Sequence, residues 1–369
     1  MVDDGSTDPE RIVEVCHRHG ATLVALADNV GPAEARNAGL AATPDDVVAF
    51  VDSDCLPETG WLDPLLAHFD DPLVAAVAPR IVTRARAGSV ISHYEAARSS
   101  LNRGPTASLV RPGTPVPFVP SATLLVRTGV FGGARLFDPS LRSGEDVDLV
   151  WRLAEAGWDV RYEPAVEVEH DGAPTALAFL ARRAFYGTSA GPLAKRHGSA
   201  MALLTAPAWS AAAWALVALR RPGLAVGVTG TAIALLARRL RGRVADPVVV
   251  ASRLAGGGTA QSALPALAAL SRVWSPLLVL GLAFRRTRRP AALALVVPAL
   301  VARAQRPSPL DPGREVGLHV ADDVAYGVGV WAGCVRARTL VPLLPRLTWR
   351  PRAPRAGSTG PRAAIVSAG

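Results

Sequence analysis

Several residue types are scarce in this chain, and each scarcity excludes something. Of the 40 basic residues only Lys195 is a lysine. Cysteine occurs three times, at 16, 55 and 334, with no Cys-x-x-Cys spacing. Such a set builds neither a zinc ribbon nor a disulfide framework, and it fits reduced thiols in the cytosol. Aromatic residues make up 5% of the chain, too few to interleave with arginine as base-stacking platforms, so nucleic acid is not the expected partner. Acidic residues are scarce in one half only. Residues 1–170 carry 25 acidic and 14 basic side chains, a net of −11, whereas residues 171–369 carry 6 and 26, a net of +20. The split implies two segments with different partners, and the basic one, rich in Ala, Leu and Val, fits an anionic membrane surface.

Apolar patterning in the first half alternates between strand and helix. The spacing predicts a helix over 10–19 stopped by Gly20, a short strand over 22–27, and a helix from Pro32 to Leu40, with proline at its first turn. A β-branched strand over 47–51 ends at Asp52. Further strands are expected over 74–82 and 160–168, with a helix near 92–101 and another over 144–156 closed by Gly157. A strand over 116–126 is interrupted by Pro117 and Pro120 and is therefore irregular or at an edge. The alternation implies a mostly parallel sheet flanked by helices, whose ligands lie beyond the carboxyl ends of the strands.

The character changes after residue 179. Residues 198–219 hold no charge and precede Arg220-Arg221; residues 222–237 are again uncharged and precede Arg238-Arg239. A membrane span takes about 20 apolar residues, so the first run is long enough and the second is short. Weaker runs cover 273–284 and 290–302. Expected are one or two spans or interfacial helices, with an Ala-rich soluble cap as the other reading. Beyond residue 350 a Pro/Arg/Ala/Gly-rich tail is expected to be disordered. The resulting division is 1–200 catalytic, 201–350 helical and membrane-associated, and 351–369 tail.

Four motifs follow one another in the first half: Asp3-Asp4-Gly5-Ser6-Thr7-Asp8; Asn29-x-Gly31-x-x-x-Ala35-Arg36-Asn37-x-Gly39; Asp52-Ser53-Asp54; and Gly144-Glu145-Asp146-x-Asp148-x-x-Trp151-Arg152. Each alone has a bland explanation. The first is an Asx-type turn with a helix N-cap, Asp-x-Asp is common in loops, and acids favour a helix first turn through the macrodipole. In this order and spacing they resemble the family 2 glycosyltransferases of the GT-A fold, over roughly residues 1–200.

That resemblance implies transfer of a sugar from a nucleoside diphosphate donor onto an acceptor hydroxyl with inversion, helped by a divalent metal, Mg²⁺ or Mn²⁺. It assigns Asp54 and His170 as metal ligands, and Asp3, Asp4, Arg36, Asn37 and Asp52 as nucleotide-sugar contacts. Asp146 becomes the base that takes the acceptor proton, with Glu145 as the fallback. Asp148 and Arg152, four residues apart, read as a structural ion pair, and Trp151 as core or sugar-stacking lining. A Gln-x-x-Arg-Trp motif of the processive polysaccharide synthases is lacking, which argues against a long-chain synthase.

The stretch Arg183–Ser189 with Pro192-Leu193 and Arg196-His197-Gly198 further resembles the glycosyltransferases of mycofactocin biosynthesis, which add glucose to a peptide-derived redox cofactor. UDP-glucose is then the expected donor, and the cell membrane with the catalytic half in the cytoplasm the expected location, or else the cytoplasm. The alternatives are a membrane enzyme building cell-wall or lipid-linked glycan, and a non-catalytic nucleotide-sugar-binding scaffold. The resemblance also implies a strand and helix ahead of Asp3. Only Met1 and Val2 precede it, so a truncated amino terminus, and a chain that folds poorly or is inactive, are expected.

Overall fold

A computed structural model describes residues 1–132 and 135–348; the tail expected over 351–369 lies outside them. Among the described residues the chain forms two compact units, Met1–Arg182 with Ser308–Leu310, and Arg183–Pro307 with residues 311–348.

In the first unit β1 (Val2–Asp3) leads through α1 (Pro9–His19) to β2 (Val24–Ala25), then α2 (Pro32–Ala41), β3 (Val47–Val51) and β4 (Cys55–Pro57). There follow α3 (Leu62–Leu66), β5 (Val74–Thr83), α4 (Val90–Arg98), β6 (Ser108–Leu109), β7 (Thr123–Arg127), α5 (Glu145–Glu155), β8 (Asp159–His170) and α6 (Ala176–Gly187), which runs past Arg182. Local chemistry sets the boundaries. Asp8 caps α1, its carboxylate accepting the Arg11 N–H at 3.2 Å, Pro9 occupies the first turn, and Gly20 closes the helix at φ +63°.

The main sheet has six strands in the order β3-β7-β5-β8-β4, with β6 also on β8. Within it β5 and β8 run parallel, while β3–β7, β5–β7, β4–β8 and β6–β8 are antiparallel. The sheet is therefore mixed, where strand–helix alternation implied a mostly parallel one. The reason is that β4 and β7 are entered from a turn and a loop rather than from crossover helices, and antiparallel neighbours need no crossover. Pro115, Pro117 and Pro120 keep residues 111–121 out of the ladder, so β7 begins at Thr123 instead of 116. β1 and β2 pair in parallel in a small sheet of their own. The core lies around β5, whose Val74–Ala78 are fully buried, with Leu124–Val126 of β7 and Leu149 and Leu153 of α5.

The second unit is helical. It holds α7 (Ala190–His197), β9 (Thr205–Pro207), α8 (Ala208–Ala218), α9 (Pro222–Leu240), α10 (Pro247–Ala251), α11 (Gly258–Gln261), α12 (Ala263–Leu282), α13 (Arg288–Gln305), α14 (Pro312–Ala337) and β10 (Arg346–Thr348). β9 pairs with β10 in parallel. Gly329 and Gly333 bring α14 into backbone contact with the segment 184–188; a Cβ at either would collide with the carbonyl oxygens of Ala184 and Thr188. The uncharged run 198–219, long enough by count to span a membrane, is not one helix. A 3₁₀ turn, β9 and the 11-residue α8 divide it, because Pro207 ends any continuous helix. Two other stretches are long and apolar enough to cross a membrane, Pro222–Leu240 and Pro247–Leu282.

Candidate active site

The site is built at the ends of β3 and β8 and the start of α5. β3 finishes at Val51, and Asp52 N–H donates to Ala122 O at 2.8 Å. Cys55 N–H then donates to Asp52 O at 3.0 Å, folding Asp52-Ser53-Asp54 into a turn. β4 pairs with β8 in a register that sets Cys55 opposite His170. That register places Asp54 Oδ2 3.3 Å from His170 Nε2. The hydrogen bond from His170 holds the Asp54 carboxyl below its ordinary range. His170 is buried, Asp54 half exposed.

The second pair of acids arrives on α5. Gly144 takes φ +82° ahead of the helix, and Glu145, Asp146 and Asp148 fill its first turn. There the exposed backbone N–H groups favour negative charge. Between the two acidic motifs stands Arg36 of α2. Its Nη2 donates to Asp52 Oδ1 at 2.7 Å and its Nη1 to Glu145 Oε1 at 2.8 Å. The Phe137 ring lies 5.6 Å from the guanidinium carbon. Burial opposes the charge of Arg36, but Asp52 and Glu145 outweigh it and keep the guanidinium ionised.

Burial pushes the Asp52 carboxyl up despite Arg36. Asp146 is pushed further, to about 7, by burial first and then by the charge of Glu145. Its Oδ1 accepts the Val147 N–H at 2.7 Å. Glu145 is pinned by Arg36 and, at 3.4 Å, by the Ser121 hydroxyl. The two neighbouring acids thus differ. One is held by a cation, and the other is poised to exchange a proton near neutrality.

The remaining predicted site residues are held by the backbone. Asp4 Oδ1 and Oδ2 accept from Val30 N at 2.7 Å and Gly31 N at 2.9 Å, so Asp4 closes the entry to α2. Gly5, at φ +73°, permits the approach, since a Cβ there would sit 2.8 Å from Asn29 N. Asp3 is buried and accepts from Ser6 N at 3.0 Å. The Asn37 side chain bonds both the carbonyl and the N–H of Phe137, at 2.8 and 3.0 Å, and is not bonded to the acids. Arg152 pairs with Asp148 at 2.8 Å, and Trp151 is core, donating from its indole to Pro117 O.

One residue beside the site, Glu95, escaped the sequence reading, and with it its pairing to Arg182. Glu95 is buried on α4 and receives Arg182 and, at 2.6 Å, Ala173 N–H. The charge of Arg182 contributes to keeping the Asp54 carboxyl low. A lone Glu in a helix and one of many arginines carry no signal of that pairing. Cys55, beside the acids, is no nucleophile: burial pushes its thiol up to about 12. Among the described residues no cluster of three or more His, Cys, Asp or Glu could hold a metal by itself.

Two carboxylate motifs joined through one arginine at the end of a mixed sheet define a class. The profile of glycosyl transferase family 2 matches residues 1–131. The chain belongs to this family, on a GT-A fold, because a curated relative covers nearly its whole length. Over 362 residues it is 39% identical to the protein named pre-mycofactocin glycosyltransferase in two strains of Mycobacterium tuberculosis, CDC 1551 / Oshkosh and ATCC 25618 / H37Rv. The match covers 94% of this chain and 76% of those relatives. Among solved structures it is similar to the mannosyltransferase PcManGT from Pyrobaculum calidifontis in complex with GDP-Man and Mn²⁺. That likeness has a TM-score of 0.40 and 20% identity, over 82% of this chain and 75% of that one.

Proposed function

We propose that the chain transfers glucose from UDP-glucose, with inversion, onto a hydroxyl of pre-mycofactocin. The observation that carries this reading is the buried Arg36 bridge, 2.7 Å to Asp52 and 2.8 Å to Glu145. It ties the acids expected on the donor side to those expected on the acceptor side. The acceptor comes from the name of the 39% identical relatives.

Asp146 takes the proton of the acceptor hydroxyl as its oxygen attacks the anomeric carbon from the face opposite the diphosphate, whose bond to the sugar breaks. With a carboxyl near 7, Asp146 is deprotonated often enough to act and basic enough to be useful. Glu145 is held in place by Arg36, and its proximity keeps Asp146 basic. Asp52 faces the ribose and sugar, and Asp3 and Asp4 shape the nucleoside end. Asp54 and His170 would hold a divalent cation, since a carboxylate oxygen and an imidazole nitrogen face each other at 3.3 Å. When bound, Mg²⁺ or Mn²⁺ supplies Lewis-acid neutralisation of the departing diphosphate.

The helical unit, with its apolar stretches and positive charge, holds the enzyme at the membrane while the catalytic unit works in the cytoplasm. The test is incubation of purified chain with UDP-glucose and each acceptor class. Pre-mycofactocin gaining a hexose, read by mass spectrometry, is expected. Hexose on a lipid-linked acceptor alone would move the enzyme to glycan synthesis, and binding without turnover would make it a scaffold.

A further inference from the structure

The apolar helices of the second unit are flanked by arginine in a way that bears on how they meet a membrane. Residues 198–307 hold 14 arginines and a single acid, Asp246. Arg220 and Arg221 stand in the turn before α9, and Arg238, Arg239, Arg241 and Arg243 at and beyond its other end. Arg285, Arg286, Arg288 and Arg289 stand between α12 and α13. All ten are exposed, and among the described residues none of them makes an ion pair. Large apolar side chains beside them are exposed too, including Val226 at 73% and Phe284 at 59%, with Leu224, Val248, Leu254 and Leu280. Little of either span-length stretch is buried within the chain.

Length alone would let α9 cross a bilayer: its 19 residues extend about 28 Å, close to a hydrocarbon core of about 30 Å. Charge decides otherwise. A spanning α9 would leave two arginines on one side and four on the other, and α13, with Arg288 and Arg289 at its start and Arg303 and Arg306 at its end, meets the same conflict. Spanning helices carry their arginine excess on the cytoplasmic side, whereas here arginines flank both ends of α9 and of α13. The macrodipole accounts for Arg238 and Arg239 at a helix C-terminus. It opposes Arg221, Arg288 and Arg289 at helix N-termini, so those three need anions from elsewhere. Lipid phosphates in the plane of the headgroups meet arginine at both ends of a helix that lies flat.

We propose that the helical unit is monotopic: α9, α12 and α13 lie in one leaflet of an anionic membrane, apolar faces in the acyl boundary and arginines on lipid phosphates, with no span. The inference rests on the membrane reading above and specifies it.

The test uses the full chain in three measurements. Flotation is compared on phosphatidylcholine vesicles and on vesicles that also contain phosphatidylglycerol. Binding is expected on the anionic vesicles alone, and the fourfold variant R285Q/R286Q/R288Q/R289Q should partition roughly a thousandfold more weakly. In separate single variants, Leu219→Cys and Ala245→Cys flag the two ends of α9, both at exposed positions. The native cysteines are buried and give low background. On inverted bacterial membrane vesicles an impermeant maleimide should label both ends without detergent. One end reacting only after detergent would overturn the inference and leave membrane binding intact. Flotation on neither vesicle would overturn the membrane reading itself, and equal flotation on both would overturn the role of the arginines.

Discussion

Replacing Arg36 with methionine removes the one cation shared by Asp52 and Glu145 while keeping the length of the side chain. The guanidinium is 11% exposed and Glu145 9%, whereas Asp52 is 39% exposed. Breaking a buried ion pair from one side costs about 3–5 kcal/mol, because the abandoned carboxylate remains desolvated. Asp52 recovers water and Glu145 keeps the Ser121 hydroxyl, so about 3 kcal/mol is expected. In a unit of this size that lowers the melting midpoint by about 6–12 °C. The sign with pH follows. Without Arg36 the folded-state carboxyls of Asp52 and Asp146 rise further, so the folded variant holds protons that the unfolded chain has released. Its stability relative to the parent therefore falls as pH rises through the range from about 4 to above 7. Melts at pH 5 and pH 8 should show the larger gap at pH 8, and Arg36→Lys should recover part of it. A loss below about 1 kcal/mol, or the same loss at both pH values, would refute the bridge as the link between the two motifs.

Asp146→Asn should lower the transfer rate by about 10²–10⁴-fold while donor affinity, measured by calorimetry, is kept; equal loss of affinity would make Asp146 a binding residue. In the parent enzyme kcat/KM should climb as pH rises through about 7, where Asp146 loses its proton; a flat profile there would remove it as the base. Because that folded-state carboxyl is raised above its unfolded value, parent stability falls as pH rises toward 7. Asp146→Asn should therefore melt later than the parent at pH 8, by about 2 kcal/mol after allowance for partial exposure and the pairing with Glu145. Asp54→Ala should nearly abolish transfer, and EDTA should inactivate the parent reversibly, restored by Mn²⁺ or Mg²⁺; full activity in EDTA would end the metal assignment.

Much of the catalytic unit was legible because its signals are local. Pro32 opens α2, the apolar run 47–51 ends at Asp52, and Gly144 with three acids opens α5, each within a few residues. What stayed hidden is non-local. Arg36 and Glu145 are 109 residues apart, and Glu95 and Arg182 are 87 apart, so no spacing announces them. Strand direction failed for the same reason, since β7 reaches the middle of the sheet through a proline-bearing loop. The 198–219 run misled because hydropathy records composition, while Pro207 and the β9–β10 pairing decide conformation. Asp4 and Asn37 carry a role the motif does not announce: their polar atoms bond the backbone of Val30, Gly31 and Phe137.

The anomeric configuration of the product tests the central claim most directly. With UDP-α-glucose and pre-mycofactocin, NMR of the product should show a β-glucoside from the parent enzyme and none from Asp146→Asn. An α-glucoside, or a β-glucoside formed as fast by Asp146→Asn, would contradict inverting transfer with Asp146 as its base.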